Sequence, residues 1–428
     1  MTLDLSLDLS PLARPLTLRS GLVVPNRLAK AATSEKLASR RFAPDDRLVR
    51  LYQRWGQGGA GMLLTGNVQI DATAREGRGN VVIEDDRDLD VLRTWAARAQ
   101  EGGARLIMQI SHSGRQTPRA INPHPAAPSA VQLEGVGGLA GRPRELTDRE
   151  IEILVERFAR TATVARAAGF AGVQLHGAHG YLISQFLSPR TNRRTDRWGG
   201  SLDNRMRFVL EATRAVRAAT GPSFSISIKL NSADFQRGGF TEDESMLVAE
   251  ALEAEGVDFL EISGGSYESA AMFGGSQRAS TRAREAYFLE YVEQVRDRVR
   301  APLMLTGGFR TAAGMAAAVA GGAVDLVGLA RPLIVEPDLP ARILSGRATE
   351  AVSYEIGARS KLLNDLIQGT WYGRQLRIMG AGKEPRSGMG RWWPLIAEGT
   401  RAYAFNPLAA VLPRRAVSVA ELPAMVTE

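Results

Sequence analysis

The sequence of 428 residues predicts an α/β fold, a closed (β/α)8 TIM barrel with an N-terminal hairpin and a C-terminal extension. Short runs of β-branched and aliphatic residues alternate with helical segments, the order of a parallel sheet whose strands are joined by crossover helices. Eight such runs can be counted, the number that closes this barrel. Polar residues and glycines follow several runs, and such barrels carry their chemistry at the carboxyl ends of the strands.

The elements are predicted in regular succession. A hairpin at residues 16–25 comes first. The eight strands are predicted at residues 27–34, 61–70, 105–111, 171–178, 224–230, 257–265, 302–308 and 323–331. Helices are predicted between them at residues 46–57, 147–168, 201–220, 242–255 and 286–299, with Ser201 as an N-cap.

Two connections, residues 112–146 and 266–285, exceed the usual length, and we expect them to cover the active site. From about residue 347 the alternation of strands and helices stops. We therefore divide the chain into a barrel of residues 1–346 and an extension of residues 347–428. The extension is expected to pack on the barrel, to reach a neighbouring subunit of a homo-oligomer, or to cover the pocket.

Composition narrows the classes of function. Hydrophobic residues make up 44% and charged residues 23%, as in a globular protein with a sizeable core. Cysteine is absent, which excludes disulfides, thiolate nucleophiles and iron–sulfur clusters held by cysteine. Any redox chemistry therefore needs a bound organic cofactor.

The net charge of +8 raises the question of a nucleic-acid partner. The arginines are scattered among acidic neighbours, and no basic run with interleaved aromatics occurs. We therefore expect no nucleic-acid partner. The first residues resemble neither a signal peptide nor a transit peptide, and no apolar run of about 20 residues is present. We expect a cytoplasmic protein without a membrane segment.

Residues 56–61 match the glycine pattern GxGxxG of dinucleotide-binding folds. The match follows a predicted helix and precedes a predicted strand, the reverse of the dinucleotide-binding order. We interpret these glycines as a helix-to-strand turn.

Two imidazoles and a phenol lie within six positions after the fourth strand. His176 and His179 are half of the four histidines of the chain, and Tyr181 follows them. If the strand end curls into a helical turn, both rings point to one side and grip one oxygen, where neutral imidazole donors stabilise an enolate. Tyr181 can then protonate the neighbouring carbon. A metal site and a pair of core histidines are the alternatives, although no third metal ligand is evident nearby.

Other strand ends offer groups that suit a flavin. Strands 7 and 8 end in Gly307, Gly308 and Arg331, where backbone N–H groups and a guanidinium can hold a phosphate. A ring system attached to that phosphate would lie near Ser34, Gln109 and Lys229. The amide of Gln109 suits the edge of an isoalloxazine, and a cation such as Lys229 favours the negative charge that the ring gains on reduction. A pyridine nucleotide would then bind directly above the flavin.

The chain resembles the old yellow enzyme family of FMN-dependent NAD(P)H:flavin oxidoreductases from about residue 16 to residue 344. The matching segments are residues 25–28, 109–115, 168–173, 176–205, 331 and 336–340, of which the block at 176–205 is the most specific. Three departures stand out: Ser34 replaces the usual Thr or Cys, Ala330 replaces a common Gly, and the tail has no counterpart in the shorter members.

The resemblance implies a role for each site residue. Ser34 would contact the flavin O4 edge, Gln109 the pyrimidine amide and Lys229 the N1/O2 locus, while Gly308 and Arg331 would hold the phosphate. His176 and His179 would bind the substrate carbonyl, and Tyr181 would be the proton donor. The remaining residues expected to line the cofactor are Ala32, Thr33, Gly66, His176, Gly307 and Ala330.

The resulting hypothesis is an FMN ene-reductase that uses NADH or NADPH to reduce the C=C bond of a small α,β-unsaturated carbonyl compound. A second hypothesis keeps the fold and the flavin but makes the protein a dehydrogenase or desaturase, a quinone reductase or an amine dehydrogenase. A third is a basic binding protein without redox function.

Overall fold

The structure, a computed structural model, describes residues 7–134, 138–263, 289–352, 354, 356 and 361–397. Its centre is a closed ring of eight parallel strands, in which the last strand pairs with the first. The strands of the ring are β3 (Leu28–Lys30), β4 (Met62–Leu64), β6 (Arg105–Ser111), β9 (Gly172–Gly177), β10 (Ser225–Asn231), β11 (Phe259–Ser263), β12 (Leu303–Thr306) and β13 (Leu326–Leu329). The predicted (β/α)8 barrel is confirmed.

Each strand of the ring falls on a predicted run, although several are shorter than predicted. The second run divides into β4 and a short β5 (Val68–Gln69), which pairs with the far end of β6. The predicted hairpin is present as β1 (Leu16–Thr17) and β2 (Val23–Val24), paired antiparallel. A further short parallel pair, β7 (Ala126–Ala127) and β8 (Arg144–Glu145), lies in the long connection after β6.

Alternate residues of each strand face the two sides of the barrel wall, because side chains point to opposite faces along a strand. Ala29, Phe259, Met304 and Leu326 pack in an interior cluster with residues of the hairpin. Their neighbours in sequence, such as Leu305, belong to the larger cluster between the wall and the helices. This alternation decides which strand residues reach the barrel mouth.

Helices cover the outside of the ring. The described helices are α1 (Ser10–Ala13), α2 (Asp46–Gly56), α3 (Leu89–Gln100), α4 (Asp148–Ala167), α5 (Leu182–Leu187), α6 (Leu202–Thr220), α7 (Glu242–Ala254), α8 (Leu289–Arg298), α9 (Ala312–Ala320), α10 (Arg331–Val335), α11 (Leu339–Leu344) and α12 (Lys361–Gly380). Ser201 caps α6 as predicted, through a hydrogen bond from the backbone N–H of Asn204. None of the helices that the structure describes is long and apolar enough to cross a bilayer.

The glycines of residues 56–61 form the helix-to-strand turn that their position predicts, between the end of α2 and the start of β4. A Cβ at Gly58 would lie 1.9 Å from the carbonyl oxygen of Pro337, and one at Gly59 would collide with Ala341. The glycines therefore allow this turn to pack closely against the segment that leads into α11.

Part of the C-terminal extension packs on the barrel. Trp371 of α12 is fully buried, and its indole N–H donates to the carbonyl of Met389 at 2.9 Å. Arg50 of α2 donates to the carbonyl of Gly380 at 3.0 Å, and Arg54 pairs with Glu384 at 3.0 Å. The extension thus lies against α2. Residues 398–428 fall outside the described part of the chain.

We predict that Gly58→Ala lowers the free energy of unfolding by about 1–3 kcal/mol, because the new methyl group collides with the backbone of Pro337. Gly369→Ala is the matched control, since this exposed position in α12 has open space and alanine favours a helix by about 1 kcal/mol. Denaturant unfolding of both variants measures the difference. Equal stability of the two variants would contradict the predicted clash.

Candidate active site

A chain of four buried polar side chains crosses the barrel interior on neighbouring strands. Gln109 Nε2 donates to Gln174 Oε1 at 2.8 Å, and Gln174 Nε2 donates to Glu261 Oε2 at 2.9 Å. Lys229 Nζ donates to the other oxygen of Glu261 at 2.8 Å. All four residues occupy inward positions of β6, β9, β10 and β11, and we call them the polar layer.

The polar layer has a fixed direction because its members differ in what they can donate. The Lys229 ammonium only donates and an ionised Glu261 only accepts, so the amide nitrogen of Gln174 must face Glu261. The amide oxygen of Gln174 then faces Gln109 and accepts from its nitrogen. Gln109 Oε1 has no partner among the described residues, so it remains available to a molecule above the layer.

The Lys229–Glu261 pair lies where charges are costly. The side chain of Lys229 is 4% exposed and that of Glu261 is 0% exposed. Removing two charges from water costs several kcal/mol per ion, which is offset only by close contact and further hydrogen bonds. The pair has both, because Gln174 satisfies the second oxygen of the carboxylate.

His176, His179 and Tyr181 meet above the polar layer. The ring centroids of His176 and His179 are 5.1 Å apart, and those of His176 and Tyr181 are 4.7 Å apart. The convergence was expected, but its cause was not. Instead of a helical turn, His179 adopts a left-handed conformation with φ of +59°, followed by Gly180 at +75°.

Hydrogen bonds hold this kink in place. The backbone N–H of His179 donates to Asn231 Oδ1 at 3.2 Å, and its Nε2 lies 2.9 Å from Ser263 Oγ. Gln116, from the long connection after β6, donates to the carbonyl of His179 at 2.8 Å. That connection therefore contacts the site. The other long connection, predicted at residues 266–285, lies outside the described residues.

Both imidazoles are neutral near pH 7. Burial lowers the pKa of His176 well below its usual value, and the neighbouring His179 and Lys229 lower it further. Burial and Lys229 act in the same direction on the pKa of His179. The Nδ1 of His176 accepts the backbone N–H of Ala178 at 3.3 Å, which leaves the hydrogen on Nε2. No cluster of three metal-ligating side chains occurs in the described ranges.

Tyr181 is nearly fully buried beside a carboxylate that the sequence did not point to. Its hydroxyl hydrogen-bonds with Glu76 and accepts from Asn67 Nδ2 at 3.3 Å. Asn67 also donates to Glu76 Oε2 at 2.6 Å, and Ser34 Oγ donates to the same oxygen at 3.0 Å. Asn80 donates to Asn67 Oδ1 at 3.1 Å, which directs the amide nitrogen of Asn67 towards Glu76 and Tyr181.

Glu76 is stabilised as a carboxylate. Burial opposes its ionisation, but the positive charge of Lys36 and the hydrogen bonds from Asn67, Ser34 and Tyr181 outweigh burial and lower the pKa of Glu76. Lys36 Nζ lies 3.7 Å from Glu76 Oε1. The side chain of Glu76 is 10% exposed and that of Lys36 is 51% exposed, so the carboxylate connects a buried phenol to the surface.

The segment 32–35 and Gly66 form one wall of the mouth. The backbone N–H of Gly66 donates to Glu35 Oε1 at 2.9 Å and to the hydroxyl of Tyr52 at 3.0 Å. Buried Lys30 donates to Thr33 Oγ1 at 3.0 Å and stacks over the ring of Trp55 at 4.2 Å. These contacts fix the wall from behind and leave Ser34 exposed.

The ends of β12 and β13 lie side by side across the ring. Gly307 and Gly308 have φ of +125° and +90°, which glycine adopts readily. Thr306 Oγ1 is buried and has no hydrogen-bond partner in the part of the chain that the structure describes; it fits beside Gly328, where a Cβ would lie 1.9 Å from it. Ala330 precedes α10, and exposed Arg331 donates to Gln368 Oε1 of α12 at 3.1 Å.

Sequence reasoning missed three residues of the site: Glu261, Gln174 and Glu76. Glu261 has a readable signal, since a charged residue at an inward position of a buried strand needs a partner and Lys229 lies on the preceding strand. Gln174 and Glu76 have no such signal. His112 follows the third strand but is buried near Asp71, accepts the N–H of Gly114, and has its pKa lowered to about 4, chiefly by burial.

Polar side chains gather at the carboxyl ends of the strands of this closed parallel barrel. This is where (β/α)8-barrel enzymes have their active sites. The chain belongs to the NADH:flavin oxidoreductase / NADH oxidase family, whose family model matches residues 11–350. The resemblance to old yellow enzymes is confirmed, and with it an oxidoreductase that uses FMN and NAD(P)H.

Individual relatives agree with this family. The chain is 37% identical to the NADH-dependent flavin oxidoreductase iliE of Hypocrea jecorina (strain QM6a), over 85% of this chain and 95% of that protein. It is 40% identical to the iliE protein of Neonectria sp. (strain DH2), over 79% of this chain but only 47% of that relative, so it spans about half its length. Among solved structures, morphinone reductase aligns with a TM-score of 0.66 at 29% identity, covering 80% of this chain and 91% of that one.

A larger solved structure resembles the fold over more of the chain. The 2-naphthoyl-CoA reductase complex aligns with a TM-score of 0.76 at 25% identity. The alignment covers 86% of this chain and 58% of that chain.

We predict that Glu261→Leu lowers the free energy of unfolding by about 3–5 kcal/mol, because it leaves the Lys229 ammonium buried without its partner. The double variant Lys229→Met, Glu261→Leu should recover most of that loss, since an apolar pair of similar volume replaces the charges. Denaturant unfolding measures both.

Glu250→Gln is the control, because Glu250 pairs with Arg298 at 3.4 Å on the exposed surface of α7. Such a pair contributes about 1 kcal/mol or less. A loss in Glu261→Leu no larger than in this control would show that the polar layer is not a structural constraint.

Proposed function

We propose that the protein reduces the C=C bond of small α,β-unsaturated carbonyl compounds with electrons from NADH or NADPH. The observation that carries this proposal is the convergence of two neutral imidazoles and a phenol above the polar layer. Neutral N–H donors stabilise an oxyanion without supplying a full charge, and a phenol supplies the proton that completes the reduction.

The donor set at the mouth fits FMN. Gln109 Oε1 has no partner among the described residues, and the Lys229 cation lies in the same layer, so both an amide-like edge and a developing negative charge find partners there. Thr306 Oγ1 is a buried hydroxyl without a hydrogen-bond partner among the described residues, and it precedes Gly307 and Gly308, whose backbone can approach a phosphate. We assign the ring edge to Ser34, Gln109 and Lys229, and the phosphate to the ends of β12 and β13 with Arg331. Ala32, Thr33, Gly66 and Ala330 line the same mouth.

FMN, when bound, supplies the hydride that adds to the β-carbon of the enone. His176 Nε2 and a ring N–H of His179 hold the carbonyl oxygen and stabilise the negative charge that develops on it. Tyr181 delivers its hydroxyl proton to the α-carbon. The buried position of His176 and Tyr181 keeps water away from these donors, which strengthens them.

The names of the relatives support NADH as the electron donor. A cytoplasmic location and a homo-oligomer remain predictions from the sequence.

Two half-reactions test the proposal. Anaerobic NADH or NADPH should bleach the visible flavin absorbance of the wild-type protein, and cyclohexenone should restore it. In Tyr181→Phe, bleaching should proceed at nearly the wild-type rate while recolouring slows by about 10²–10⁴-fold, because only the second half needs the proton. Stopped-flow absorbance measures both rates.

Tyr291→Phe is the control, since the Tyr291 hydroxyl donates to Ser245 at 2.7 Å and plays no part in the proposal. Equal slowing of both halves in Tyr181→Phe would remove its assignment as the acid. Wild-type protein that bleaches but does not recolour with the enone would favour the dehydrogenase alternative.

The imidazole pair has its own test. Replacing His176 and His179 with alanine should weaken the binding of phenols that mimic the enolate and slow recolouring by about 10²–10³-fold per donor. Fluorescence or absorbance titration with a substituted phenol measures the affinity. His124→Ala, at an exposed histidine, should change neither quantity. Unchanged phenol affinity in the double variant would refute the role of the pair.

A further inference from the structure

Among the described residues, Glu76 is the carboxylate that hydrogen-bonds with the hydroxyl of Tyr181. The phenol of Tyr181 thus has a hydrogen-bond acceptor at its hydroxyl, and its ring contacts the imidazole of His176. Resting on the function proposed above, we propose that Glu76 is the proton partner of Tyr181, a positioning residue through which the phenol exchanges its proton with solvent.

The charges explain why the phenol needs such a partner. When Tyr181 gives its proton to the α-carbon, a phenolate forms next to Glu76. If Glu76 is ionised, two negative charges lie side by side in a buried place, which is costly. If Glu76 carries a proton, that proton moves to the phenolate oxygen and leaves a single carboxylate that Ser34, Asn67 and Lys36 already stabilise.

Each step balances. The phenol O–H bond of Tyr181 breaks as the α C–H bond forms. The carboxyl proton of Glu76 moves to the phenolate oxygen, and Glu76 then takes a proton from water on the side of exposed Lys36. These proton transfers change no oxidation state and are reversible. In the reverse direction, Tyr181 takes an α-proton from a saturated ketone while its own proton passes to ionised Glu76, and the C–H electron pair stays on the ketone as an enolate.

The two directions have opposite pH dependences. Protonation of the alkene needs protonated Glu76, so its rate falls as the pH rises above the pKa of Glu76. Abstraction of the α-proton needs ionised Glu76. Because the pKa of Glu76 is lowered below its ordinary value, abstraction is already at its plateau near pH 7. Of the described titratable groups, Lys36 and Tyr181 act on Glu76, and Lys36 lowers the pKa of Glu76 through its positive charge.

The first test uses the oxidised holoenzyme in D2O. Proton NMR follows the exchange of the α-hydrogens of cyclohexanone, and stopped-flow absorbance follows recolouring by cyclohexenone between pH 5 and pH 9. Glu76→Gln keeps the shape of the side chain, but its amide has no carboxyl proton to transfer and does not titrate. We expect exchange to fall at least tenfold and recolouring to lose its pH dependence. Rates and pH profiles equal to those of the wild type would overturn the proposal.

A second variant decides the matter even if Glu76→Gln does not fold. Lys36→Met removes a surface charge 3.7 Å from Glu76 without touching Tyr181. Since Lys36 lowers the pKa of Glu76, its loss should shift the recolouring profile to higher pH and speed recolouring at a fixed pH. Lys383→Met, which removes the same charge from an exposed loop, should leave the profile in place.

An unshifted profile in Lys36→Met would overturn the relay. Failure of the proposed function looks different, because the wild-type protein itself would then not recolour with the enone. In that case α-proton exchange still reports on the pair of Glu76 and Tyr181.

Discussion

The buried ion pair between Lys229 and Glu261 is the interaction on which the site depends. Two charges with almost no exposure persist inside a barrel only when each finds a partner at once, and the 2.8 Å contact provides it. The pair lies on adjacent strands in register, Lys229 opposite Glu261. The strand register that closes the ring therefore also sets the charges at its mouth. A shift of one strand by one residue would turn Lys229 or Glu261 towards the apolar outer face of the barrel wall.

From that pair the orientation of the mouth follows in sequence. Glu261 fixes the orientation of the Gln174 amide, and Gln174 fixes that of the Gln109 amide. The positive charge of Lys229 helps to lower the pKa of both imidazoles, which lie above it. The imidazoles stay neutral chiefly because they are buried, and protonating them would also place more positive charge over a buried ammonium. A rigid lower layer thus determines the chemistry of the upper one, as preorganised sites require.

The sequence was informative about the barrel because strand residues repeat with period two and every crossover adds the same unit. It located His176, His179 and Tyr181 by their clustering at one strand end. It was less informative where a contact joins segments with no periodic pattern, as between Glu76 and Tyr181, whose proximity depends on how two loops fold. The left-handed backbone of His179 was equally hard to predict, because it is held by hydrogen bonds with Asn231 and with the connection after β6, which are distant in sequence.

The left-handed backbone conformation of His179 limits which side chains can occupy this position of the imidazole pair. Among residues other than glycine, asparagine, aspartate and histidine tolerate positive φ best, whereas β-branched residues are strongly disfavoured. Asparagine also carries an N–H donor of similar reach. Asparagine can therefore replace histidine at position 179 with little backbone strain. One such substitution would change the hydrogen-bond donor that faces the substrate while the loop keeps its conformation.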